Sequence, residues 1–266
     1  MDSLVEVGRT LNYVIDSSCS TYKESPAIGM ATEKPLTYGE FHQKILALAD
    51  RLQDEDIKKG DRVAILGENS HNWGMAYLAS VRLGAVAVPI LPDLPESDVH
   101  HILGEMEVKA LFTTQRQIEK IYELPKEING PVVTLDDFES ELSVVAVTTF
   151  TRFLDEALAQ REQRADDPVF PRVGEDDLAS ILYTSGTSGY SKAVMLSHKN
   201  LTADAYSAAS LMDIEPGADL LQHTVDDLTG DIPVCHLYPV FGCNPFLQLG
   251  KPLFIEGLEY SHPHRL

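Results

Sequence analysis

Read as a string of apolar and polar positions, the chain alternates between two periods. Phe41, Ile45, Leu48 and Leu52 recur on one face at helical spacing, and Thr37-x-x-Glu40 has the form of a capping box, so a helix is predicted from there to about Gln53. The polar break DEDIKKGD then gives way to Arg62–Gly67 (RVAILG), a β-branched and aliphatic run that ends on glycine and predicts a buried strand. Asn72–Leu83 predicts a helix that stops before Gly84, and Ala85–Ile90 is a second unalternated apolar run of the kind found in strands covered on both faces.

The alternation continues. Pro95 opens a predicted helix through about Met106, Val108–Thr113 (VKALFT) reads as a strand, Gln115–Tyr122 as a short helix, and VVTL after Gly130-Pro131 as another strand. Strands that alternate with helices on this scale predict an α/β fold with a parallel sheet. Thr151 to about Gln163 carries apolar residues at Phe153, Leu154, Ala157 and Leu158, and the charged, proline-containing stretch 164–177 that follows has no period and is expected to be a connector.

Composition bounds what such a fold can do. The 266 residues carry 41 Asp plus Glu against 21 Lys plus Arg, a formal net charge of −20, so a nucleic-acid backbone is not expected as a partner and any anionic ligand must be held by local groups. Hydrophobic residues make up 44% and charged residues 23%, enough apolar side chain for a packed core. The opening Met1–Thr10 has no apolar region resembling a secretory signal, and Leu83–Pro92, the most apolar stretch, falls far short of the roughly 20 residues a membrane-spanning helix needs. With three scattered cysteines, Cys19, Cys235 and Cys243, the expected location is cytoplasmic.

The most informative segment is ASILYTSGTSGYSKAVMLSH, residues 179–198: an apolar strand, a loop of small hydroxyl residues, a second strand, and then Ser197 placed to cap a helix bearing Leu201, Ala205, Ala208 and Met212. Gly186 and Gly189 allow successive N–H groups to turn inward, Thr184, Ser185, Thr187, Ser188 and Ser191 add hydroxyls, and Lys192 adds a cation, a donor set suited to phosphate oxygens. The spacing is not that of a Walker A loop, because Lys192 follows Ser191 and precedes Ala193. From composition alone, a plain solvent-exposed Gly/Ser/Thr loop is an equal reading.

The complete string YTSGTSGYSKAVMLSH resembles the phosphate-loop signature of the adenylate-forming (AMP-binding) superfamily, the acyl-CoA synthetases with the adenylation domains and luciferases. Ser191 stands where proline is frequent and Ala193 where glycine is frequent; the serine also occurs in long-chain fatty acyl-CoA ligases. LTYGEFHQKILALADRL, GDRVAILGENSHNWGMAYLASVRLGAVAVPILP and DLPESDVHHILGEMEVKALF resemble that branch too, so the likeness spans about residues 11–215.

The resemblance implies Rossmann-like parallel sheets flanked by helices, as in the N-terminal domain of the acyl-CoA synthetase fold. It also implies ATP-dependent activation of a carboxylic acid, a long-chain fatty acid in this branch, to an acyl-adenylate and then an acyl-CoA, with ATP, Mg2+ and coenzyme A as co-substrates. In it Thr184, Ser185, Gly186, Thr187, Ser188, Gly189, Ser191 and Lys192 hold the ATP phosphates. Gln222-His223-Thr224 resembles the family's next motif, which makes His223 and Thr224 candidates for the acyl-substrate pocket.

Family members continue well past this length, with a magnesium-binding glutamate, a ribose-binding aspartate, a hinge and a C-terminal domain bearing an essential lysine. None of these can be located here, so no catalytic residue and no metal ligand is assigned. Asp219-Leu220-Leu221 runs straight into Gln222, which implies that about five apolar residues of a central strand are missing. The expected organisation is a partial N-terminal AMP-binding domain over residues 1–266, with subregions of about 11–150 and 178–266, the connector at about 164–177, and no C-terminal domain.

The alternative function is an inactive or nucleotide-binding-only remnant of such a ligase, and a different phosphoryl-transfer enzyme, such as an ATPase, is a third reading. Partners are expected to be small molecules, with peripheral association with a membrane surface left open. Outside the loop, His100 and His101 lack a paired nucleophile or carboxylate spacing, Cys235-His236 and Cys243 fall short of a zinc-site pattern, and Trp73 is expected to anchor a core or an interface.

Overall fold

A computed structural model describes residues 10–30, 34–122, 124, 128–139, 147–164, 166, 168–184, 192–211, 220–221 and 233–235. The first described elements are helix α1 (Leu11–Thr21), strands β1 (Pro26–Met30) and β2 (Leu36–Thr37), and helix α2 (Tyr38–Asp54). The capping box is present: Thr37 Oγ1 accepts the Glu40 N–H and the Glu40 carboxylate accepts the Thr37 N–H at 2.8 Å. Strand β3 (Arg62–Leu66), helix α3 (His71–Leu83), strand β4 (Val86–Ile90), helix α4 (Glu96–Met106) and strand β5 (Ala110–Thr113) then alternate as the apolar periodicity predicts.

Gly84 ends α3 in the left-handed region at φ 79°, where a side chain would be strained, and its N–H returns to the last turn. The predicted helix after β5 is α5 (Gln115–Ile118) tightened into a 3-10 turn over Glu119–Ile121. Strands β6 (Val132–Thr134) and β7 (Val147–Thr149), helix α6 (Phe150–Gln163), strands β8 (Leu178–Thr184) and β9 (Lys192–Ser197), and helix α7 (His198–Leu211) complete the main body. Strands β10 (Leu220–Leu221) and β11 (Pro233–Cys235) belong to a smaller sheet.

The large sheet runs β7-β6-β5-β3-β4-β8-β9 and is parallel except for the final β8–β9 hairpin. Helices cover both faces. On one, Val63 and Ile65 of β3 share a core with Ile45, Leu48 and Leu52 of α2 and with residues of α3 and α6; on the other, Ala64 and Leu66 share a core with Val99, Ile102 and Leu103 of α4. This is the two-faced burial that the unalternated apolar runs require. Phe112 of β5 sits edge-on to Phe153 of α6 at 6.4 Å between ring centres. Trp73 is a core residue, 5% exposed and stacked on Tyr77.

The second sheet has the order β10-β11-β1-β2 and is antiparallel. It corrects one expectation. Leu220-Leu221, taken as the remnant of a central strand, is a two-residue strand at the end of this sheet, paired to β11 on one side, so its shortness interrupts no ladder among the described residues.

Candidate functional site

The phosphate-loop signature maps onto the β8–β9 hairpin. β8 is tied into the sheet where Ala87 of β4 faces Ser180, whose hydroxyl donates to the Ala87 carbonyl at 3.0 Å. β9 returns antiparallel with pairs from Leu178↔Ser197 to Thr184↔Lys192. The two ends of the loop therefore face each other across one rung of the ladder. Lys192 stands exposed at that rung. Ser185, Gly186, Thr187, Ser188, Gly189 and Ser191 lie outside the described residues, as do His223 and Thr224.

The base of the hairpin is locked by the expected cap at Ser197 and by His198, Asp177 and Lys59, which the residue pattern does not single out. Ser197 caps α7 as expected: its hydroxyl accepts the Asn200 N–H at 3.2 Å, and its own N–H donates to Asn200 Oδ1 at 3.0 Å. His198, the next residue, is fully buried; its N–H donates to the Asp177 carbonyl just before β8, and its Nδ1 accepts the Leu11 N–H at the start of α1. Burial disfavours the imidazolium and pushes this histidine down to about 4, with Asp177 opposing the shift and Lys59 adding to it. Asp177 accepts from Lys59 Nζ at 2.6 Å and from the Gly174 N–H at 2.7 Å, which hold its carboxyl below the usual range. β8, β9 and α7 are thus fixed at their root by a cluster drawn from α1, the α2–β3 turn and the segment before β8.

A separate cleft of about 660 Å³ opens at the C-terminal edge of the large sheet, lined by Glu68 after β3, Thr114 and Arg116 after β5, Asp136 after β6, and Met75 and Leu154 of α3 and α6. The chain leaves β3 toward one face and β5 toward the other, so strand order reverses there and a crevice follows. Burial would raise the Glu68 carboxyl, but Thr114 and Gln117, each donating at 2.7 Å, outweigh it and keep it ionised. Lys192 is not among the residues that line this cleft.

Other candidates resolve into structural roles. His100 Nε2 lies 2.8 Å from the Lys120 carbonyl and ties α4 to the turn after α5. Cys19 is buried, and burial pushes its thiol up to about 12, which makes it unreactive. Among the described residues, no three His, Cys, Asp or Glu side chains are grouped to hold a metal ion, and no helix is long and apolar enough to cross a membrane.

Residues 15–264 match the family described as AMP-binding enzyme. The chain belongs to that family. Among AMP-binding relatives it is 31% identical over 232 residues to the long-chain-fatty-acid–CoA ligase heimdall of Drosophila melanogaster, covering 79% of this chain and 33% of the relative. It is 28% identical to the L-proline–[L-prolyl-carrier protein] ligase of Streptomyces coelicolor, covering 79% of this chain and 38% of that one. The solved structure of Mycobacterium tuberculosis fatty acyl CoA synthetase superposes with a TM-score of 0.58 at 25% identity, over 78% of this chain and 38% of that protein. The chain spans about a third of the length of these relatives.

Proposed function

We propose that this AMP-binding chain takes part in the ATP-dependent activation of a carboxylic acid, a long-chain fatty acid, to an acyl-adenylate whose acyl group then passes to the thiol of coenzyme A with release of AMP. The observation that carries the reading is the placement of the signature: its two described ends, Thr184 and Lys192, meet on one rung at the open end of a hairpin rooted in the sheet. A hydroxyl-rich turn with a cation at its exit has the donor set for an anionic phosphate chain. The acid's oxygen attacks the α-phosphorus of ATP and the bond to the bridging β-phosphate oxygen breaks. Pyrophosphate leaves with growing negative charge, and the ammonium of Lys192 with the hydroxyls and N–H groups carried by residues 184–191 supplies donors to stabilise it. The ion accompanying ATP in such chemistry, Mg2+, adds charge neutralisation; no ligand for it is assigned here.

The preference for a long-chain acid draws on the Drosophila relative, against which the prolyl-carrier ligase shows how widely the acid varies across relatives. We also propose the organisation read from the sequence, a partial N-terminal AMP-binding domain with the connector at about 164–177. The location is proposed to be cytoplasmic. Titration of the purified chain with MgATP, beside Lys192→Ala, tests the reading. Saturable binding that weakens at least roughly tenfold in the variant, the size of one lost charge-assisted contact, supports it. Fatty-acid-dependent exchange between ATP and pyrophosphate then extends it to turnover. Binding without exchange for any acid assigns the chain to a nucleotide-binding remnant, and no binding by a cooperatively folding chain overturns the reading.

A further inference from the structure

Tyr183 immediately precedes the Thr184–Lys192 rung and pairs with Ala193. Its ring is 5% exposed and belongs to the core on the α4 side of the large sheet. Its hydroxyl lies 2.6 Å from Oε2 of Glu105 in the last turn of α4, 78 positions earlier in the chain. His101, one helical turn back, places Nε2 3.6 Å from the same carboxylate oxygen. Burial raises the phenol above its usual pKa and the Glu105 charge adds to the shift, so the hydroxyl is the donor and the carboxylate the acceptor.

The tie lies beyond the register pair at which β8 meets β4: Ala87↔Ser180 stands three residues before Tyr183, whereas β9 pairs with β8 through to Thr184↔Lys192. Among the described residues β9 is the outer strand of the sheet, and it is exposed from Lys192 to Met195, so it lends the end little rigidity of its own. The ring of Tyr183 resists withdrawal from the core but leaves the strand end free to slide along it. A hydrogen bond to a charged acceptor on a packed helix fixes that remaining freedom.

We propose that Glu105 and Tyr183 act as a positioning pair: the carboxylate on α4 sets the end of β8, and through it the placement of Thr184 and Lys192 against an ATP phosphate. Neither residue touches the nucleotide. The inference rests on the reading of this hairpin as the phosphate holder, so its test carries one measurement that does not involve ATP.

Tyr183→Phe, Glu105→Ala and Glu105→Gln are compared with the unmodified chain, and Asp98→Asn on the same helix controls for loss of one negative charge. The expected result is a roughly tenfold weaker dissociation constant for MgATP in Tyr183→Phe and Glu105→Ala, near-recovery in Glu105→Gln because an amide oxygen still accepts, and no change in Asp98→Asn. The double variant Tyr183→Phe/Glu105→Ala is expected to be no weaker than either single one, the mark of one shared interaction. Amide exchange at Thr184 and Lys192 is expected to quicken in the same two variants, with exchange in α2 and β3 unchanged. Wild-type binding in all variants, or exchange that quickens uniformly across the molecule, overturns the pair as a positioning device and leaves the phosphate-holding reading standing. If the unmodified chain binds no MgATP, that reading falls, and selective exchange at the rung alone then decides for or against the Glu105–Tyr183 tie.

Discussion

The buried ring of His198 accepts the backbone N–H of Leu11 through Nδ1 at 3.2 Å, joining two positions 187 residues apart. Only a neutral imidazole can make that bond, because the imidazolium carries a proton on both nitrogens.

Acid should therefore loosen the root of the hairpin. The folded value of about 4 lies below the ordinary 6.5, so the unfolded chain takes up the proton first. The contribution is complete above pH 6.5, shrinks as pH falls, and is gone below about 4. The full span is roughly 3 kcal/mol, with about 2 kcal/mol lost by pH 5. Urea midpoints at pH 7 and pH 5 should show this loss in the unmodified chain and a much smaller one in His198→Leu; equal pH dependence in the two would refute the assignment.

Gly67, between β3 and the cleft, is expected to reject even a methyl group. A Cβ there would lie 2.8 Å from Thr114 Cγ2 and 3.3 Å from Leu135 Cδ1, and Thr114 is held in place by its bond to Glu68. Gly67→Ala should cost about 1–3 kcal/mol as an overpacking change. Thr114→Ser removes the clashing methyl but keeps the hydroxyl, so Gly67→Ala/Thr114→Ser should regain most of the loss in thermal unfolding. A double variant no better than the single one would place the strain elsewhere.

Arg164, at the end of α6, forks onto α2: one nitrogen bonds Asp50 and the other approaches both Asp54 oxygens, the closer at 2.6 Å. Asp50 is buried, and burial raises its carboxyl, an effect the guanidinium partly offsets. Arg164→Ala would remove the larger part of that offset and leave Arg161, at about 1–2 kcal/mol because solvent reaches the Arg164 guanidinium. A carboxyl raised in the folded state costs stability when ionised and less once protonated, so the loss should be larger at pH 7 than at pH 4. Chemical denaturation at both values checks the sign.

The succession α2, β3, α3, β4, α4, β5 was legible from residue spacing, because burial on one helical face or on both faces of a strand imposes a period that survives in the sequence. β1, β2 and β7 were not foreseen because none is a plain apolar run like those of β3–β6: β1 carries Pro26 and Gly29, β2 is two residues long, and β7 reads VTT. The two strands and the following helix read from 179–211 are present, and so is the cap at Ser197.

What the sequence by itself determined was the local material: which segments have a face to bury, where glycine and proline end them, and that a glycine- and hydroxyl-rich turn followed by Lys192 has the chemistry to meet an anion. Tertiary structure alone decided that β8 lies beside β4, that among the described residues Leu220-Leu221 is an outer strand, and that Glu105 meets Tyr183 and Leu11 meets His198. The physical reason is range. Periods and caps express interactions among residues a few positions apart, whereas strand neighbours and buried polar partners are selected by how the two faces of the sheet fill, which no single segment encodes.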